Sequence, residues 1–80
     1  MFGKDNENYI YVIIAKNLKK YRKQANMTQE EFSLKCNYSK SFVSNIESIK
    51  THQTLSLGTL WTFAKVLNIP VHYLLIDSEE

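Results

Sequence analysis

One cysteine, one proline and two glycines in eighty residues remove several chemistries at the outset. Cys36 has no second thiol to join, so an internal disulfide and a shared thiolate metal site are both excluded, and packing must hold the chain. A buried structural thiol is the expected state of that side chain. With only Gly3 and Gly58 available, no glycine-rich phosphate loop exists. Paired carboxylates and a Cys with His arrangement are missing too, so no catalytic residue is assigned and an enzyme is not expected. His52 and His72 lie far apart without a carboxylate at a metal-ligand spacing, which makes them surface positions; neither a metal nor a cofactor is expected. The apolar run from Tyr9 to Ala15 falls far short of the roughly 20 residues that cross a bilayer, and no secretory signal precedes it. A soluble, cytoplasmic protein is the expectation. Aromatic stacking residues do not cluster on the basic face, so RNA binding is only weakly supported.

What is present suffices for one domain spanning 1–80: 44% apolar residues, 12% of the chain aromatic, and a net charge of only +2. That charge is unevenly placed. Eight of the ten basic residues fall between 16 and 50, where the only acids are Glu30, Glu31 and Glu47. Both ends are acidic, so a polyanion would meet the middle of the chain first.

Periodicity predicts an all-α protein, a compact bundle of five short helices. The first runs from the N-cap candidates Asp5, Asn6 and Asn8 to about Ala25, with Ile10, Ile14, Leu18 and Tyr21 inward. Its β-branched start, YIYVII, leaves a short strand or an added contact surface open as alternatives. Thr28 with Glu31 spells a capping box, so a second helix begins there, turning Phe32, Ser33 and Cys36 inward and ending at Asn37. A fourth helix starts from Ser56 with Leu57, Leu60, Phe63, Ala64 and Leu67 inward, and Asn68 closes it. Pro70 opens a short fifth carrying Val71, Leu74 and Leu75.

Between the second and fourth lies SKSFVSNIES, residues 39–48, with four serines in a run that local propensity would call a loop. The apolar spacing of Phe42, Val43 and Ile46 contradicts that, and Ser39 can cap a helix there. The outward face then carries Lys40, Ser41, Ser44, Asn45 and Ser48. Short side chains let a helix backbone come deep into the major groove, where Lys40 can donate to guanine and Asn45 can pair with adenine. An ordinary solvated face would instead be filled with Glu, Lys and Gln. Gln29, just inside the second helix, can bond a phosphate or a base, or serve as a plain residue of the capping region.

Helices two and three, with a short turn at Asn37 and Tyr38, have the size of a helix-turn-helix with its core at about 28–48. Over LKKYRKQANMTQEEFSLKCNYSKSFVSNIE (18–47) and FAKVLNIPVHYLL (63–75) the chain resembles the Cro and phage-repressor type of helix-turn-helix, the XRE family of bacterial regulators, which includes the controller proteins of restriction-modification systems. The resemblance implies a lambda repressor-like DNA-binding domain. It places the family's phosphate-and-base glutamine on Gln29, its base-reading positions on Lys40, Ser41 and Asn45, and its backbone-contacting loop on Ser48 to Thr51 with Lys50 supplying charge. Arg22 and Glu47 fall on its structural ion pair. Asn37 replaces the usual turn glycine, Ile49 stands where glycine often follows the third helix, and the apolar start exceeds the minimal domain.

Family members of this size resemble homodimeric regulators of paired operator half-sites, either phage-type repressors or controller proteins. Trp61, Val71 and Tyr73 are the candidate dimer interface, with a partly buried core position as the alternative for Trp61. The competing class is a protein-interaction module, an antitoxin or co-regulator docking through residues such as Leu34 and Trp61. No small-molecule effector or membrane partner is indicated.

Overall fold

The computed structural model describes residues 3–50 and 53–77. Four α-helices and one 3-10 helix follow in order: α1 (Tyr9–Gln24), α2 (Gln29–Cys36), α3 (Lys40–Glu47), α4 (Leu57–Leu67) and the 3-10 helix Val71–Leu75. Among the described residues there is no strand, and no helix long and apolar enough to cross a membrane. The YIYVII start is the first turn and a half of α1, so packing overrides its β propensity.

Side-chain caps begin three of the helices. Thr28 Oγ1 accepts from the Glu31 N–H at 3.0 Å while the Glu31 carboxylate accepts from the Thr28 N–H at 2.8 Å, completing the capping box. Ser39 Oγ accepts from the Phe42 N–H and Ser56 Oγ from the Thr59 N–H. The fourth start differs. Asn8 precedes α1 without a capping bond from its side chain, and Asn6 Oδ1 instead accepts from the Asn8 N–H at 2.8 Å. Asn37 and Asn68 close α2 and α4 in the left-handed conformation, φ 64° and 59°, and Asn26 adopts it between α1 and α2.

One core joins all five elements: Ile14 and Leu18 from α1, Phe32 and Cys36 from α2, Val43 and Ile46 from α3, Leu60, Phe63, Ala64 and Leu67 from α4, and Leu74. Phe32 and Phe63 meet with ring centroids 5.3 Å apart. Burial pushes the Cys36 thiol up to about 11. The Tyr38 hydroxyl lies 2.9 Å from Thr59 Oγ1, which ties the turn between α2 and α3 to the start of α4.

Three inward assignments differ from the sequence expectation. Ile10 stays on the surface, and the buried apolar residues of α1 are Val12, Ile14, Ala15 and Leu18. Leu57 is 83% exposed, since it occupies the first position of α4 and its turn has not yet reached the core. In the fifth element only Leu74 is buried. A 3-10 helix advances about 120° per residue, so Leu75 turns away when Leu74 points inward, and Val71 sits at the rim. That C-terminal element is clasped by Asn17, buried in α1, whose Nδ2 donates to the Leu74 and Ile76 carbonyls at 3.0 and 2.9 Å.

Candidate nucleic-acid interface

α3 is amphipathic in an unusually short-sided way. Val43 and Ile46 are buried and Phe42 is half-buried, its ring 4.9 Å from Tyr38 and 6.5 Å from Phe63. The opposite side presents Lys40, Ser41, Ser44 and Asn45, which together line a shallow open recess of about 230 Å³. No long side chain but Lys40 stands on that face. The structure thus brings four of the expected residues onto one accessible surface.

Others sit around its edges. Ser39 caps α3 through its hydroxyl oxygen, which leaves its O–H available to donate. Ser48 ends α3, its N–H donating to Ser44 O at 3.1 Å. Lys50 is exposed in the turn that follows. Thr51 and His52 lie outside the described residues.

An ion pair fixes α3 to α1. Arg22 Nε and Nη2 donate to the two oxygens of Glu47 at 2.7 and 2.9 Å, and Nη1 donates to the Met27 carbonyl at 2.7 Å. Both side chains are nine-tenths or more buried. The hydrogen bond to Glu47 holds the guanidinium above its ordinary pKa; burial opposes this and the attraction of the carboxylate charge supports it. The fork geometry also sets the rotation of α3.

Gln29 has a more specific position than its sequence context suggested. Its Nε2 donates to Glu47 Oε1 at 3.1 Å, so the opening of α2 is linked to the end of α3 through the carboxylate that Arg22 holds. No local pattern announces this bond, because its partners lie eighteen positions apart.

A second surface lies away from this face. Trp61 is 57% exposed, with Lys65 Nζ 4.9 Å from its ring centroid, and a core position for it is thereby ruled out. It shares an apolar recess of about 300 Å³ with Ala64, Lys65, Ile69, Pro70 and Val71. Tyr73 is not part of that lining; its ring lies 6.1 Å from Tyr21 and 5.1 Å from His72. Among the described residues no group of His, Cys, Asp and Glu is arranged to hold a metal ion.

The family described as Helix-turn-helix matches residues 18–74, more than half of the chain. The chain belongs to the helix-turn-helix family. In this helix-turn-helix protein the match opens midway along α1 and closes on Leu74, so Tyr9 to Asn17 precede the shared part. Among solved structures, the crystal structure of a hypothetical transcription factor, NHTF, from Neisseria superposes with a TM-score of 0.80 at 20% identity. The superposition covers 91% of this chain and 83% of that one, and it establishes a common fold. A sequence search among curated proteins gives no significant match.

Proposed function

We propose that this helix-turn-helix protein is a sequence-specific regulator that binds double-stranded DNA in the cytoplasm as a homodimer, on paired operator half-sites. The observation that carries the proposal is the α3 face: Lys40, Ser41, Ser44 and Asn45 on one open recess, on a helix whose other side is anchored in the core. α3 enters the major groove, Lys40 and Asn45 address base edges, and the serines keep the backbone close. Ser39, Ser48, Lys50 and Thr51 flank it with phosphate contacts, as does Gln29 at the opening of α2. The excess of basic residues between 16 and 50 supplies the long-range attraction.

One such helix reads only a few base pairs, and a dimer doubles the readout. The recess at Trp61 and Val71, with Tyr73 nearby, is the proposed contact between copies. Repression of its own or neighbouring promoters, as by a phage-type repressor or a restriction-modification controller, is the proposed role. The helix-turn-helix core, about residues 28–48, belongs to a single domain spanning 1–80, and the proposed contacts extend past it to Lys50 and Thr51.

Selection from a random duplex library tests these points together. Enrichment of two inverted half-sites about one helical turn apart is the expected result. A library that emerges unenriched, with a protein partner co-purifying in its place, overturns it in favour of an interaction module.

A further inference from the structure

Glu47 is already satisfied by Arg22, which meets both of its oxygens. The Gln29 amide adds a further bond to Oε1. Gln29 is half-buried, so water would serve its amide if Glu47 did not, and the fold does not require this bond. Its effect is on orientation. A carboxylate oxygen only accepts, so the amide must turn its nitrogen to Glu47 and its oxygen away. The charge on the acceptor makes that preference strong. Gln29 is therefore left with one N–H and one acceptor oxygen to offer a ligand, both in a fixed direction.

We propose that Glu47 is a positioning residue for the DNA contact of Gln29, so that one buried carboxylate aligns both the opening of α2 and the presentation of α3. The proposal rests on the DNA-binding reading above. A glutamine that is free in solution must give up its side-chain rotations on binding, and that ordering weakens the complex. One already tied by Glu47 has less freedom to lose. The same carboxylate forbids the nearest change in shape: Gln29→Glu would set two acceptors against each other where a donor is needed.

The test is a double-mutant cycle on the selected duplex, combined with solvent exchange of the Gln29 side-chain amide followed by NMR. In the wild-type background Gln29→Ala is expected to weaken binding about tenfold; with Arg22→Met and Glu47→Met together, the same change is expected to weaken it about two- to threefold. An apolar pair of similar volume is the substitution that best keeps a fold when a buried ion pair is removed. In the free wild type the Gln29 amide protons are expected to exchange more slowly than those of the exposed Gln24. Equal losses in the two backgrounds, or a Gln29 amide that exchanges like that of Gln24, overturn the proposal. The exchange measurement needs no variant, so it decides the matter if the doubly substituted protein does not fold. A wild type that enriches no duplex overturns the DNA-binding reading instead, and exchange still decides whether Glu47 holds the amide.

Discussion

Asn26, Asn37 and Asn68 hold φ values of 60°, 64° and 59°, in a chain whose two glycines both lie elsewhere. The left-handed conformation costs an ordinary L-residue about 1–2 kcal/mol, and asparagine is the side chain that tolerates it best after glycine. Asn37→Ala is accordingly expected to lower stability by about 1 kcal/mol in urea unfolding, while Asn37→Gly stays within about 0.5 kcal/mol of wild type. Asn37 and Asn68 were legible because each follows a helical pattern that must stop. Asn26 was not, since nothing between the end of α1 and the capping box at Thr28 marks a left-handed residue. The buried pair behaves differently. Arg22→Ala leaves the Glu47 carboxylate charged and shut away from water, so a loss of about 3–5 kcal/mol is expected, readable as a collapse of the thermal midpoint. Replacing both partners by methionine should cost much less, because no charge is then stranded.

At the scale of the element, α3 explains why its sequence resembled a loop. Serines lower helix propensity, and the helix persists because Ser39 caps it and Phe42, Val43 and Ile46 bind it to the core. The face and the cap were both readable, since capping bonds and apolar spacing are local. Bonds between distant elements were not: neither the Asn17 clasp on the last turn nor the Gln29 bond to Glu47 leaves a trace in neighbouring residues. The fifth element was legible as a short helix after Pro70, but not as a 3-10 helix. Its five residues end too soon to show whether the period is that of an α-helix or a 3-10 helix. The functional division of the element is testable. Lys40→Ala is expected to weaken operator binding by about 1–3 kcal/mol at one base position and relax choice there. Lys50→Ala should weaken all duplexes alike and reduce the slope of affinity against salt by about one. Two variants that bind like wild type across a salt titration would remove α3 and its following turn from the interface.

For the whole molecule, the α3 recess and the Trp61 recess share no lining residue, which is what the proposed function needs in order to hold a second copy and a duplex at once. If copies meet through Trp61 and Val71, the thermal midpoint must rise with protein concentration. Trp61→Glu, which sets a carboxylate on that apolar surface, is expected to abolish the concentration dependence and to weaken binding to a paired site far more than to a single half-site. A midpoint already independent of concentration in the wild type would overturn pairing of free copies, and a dependence that survives Trp61→Glu would place the contact elsewhere.

Cys36, the sole thiol, makes the protein its own clock. With the thiol pushed from an ordinary 9.0 to about 11 and shut between α2 and its neighbours, almost no thiolate exists at pH 8 in the closed molecule. An alkylating reagent therefore records chiefly the moments when the core around Cys36 opens, and the modification rate reads out the free energy of that opening. Adding operator duplex should slow the reaction in proportion to its occupancy if bound and opened states exclude each other. The sign of the pH response is fixed by the same side chain. The folded thiol holds its proton to higher pH than the unfolded one, so stability falls as pH rises from about 9 toward about 11. Cys36→Ala should flatten that part of the profile.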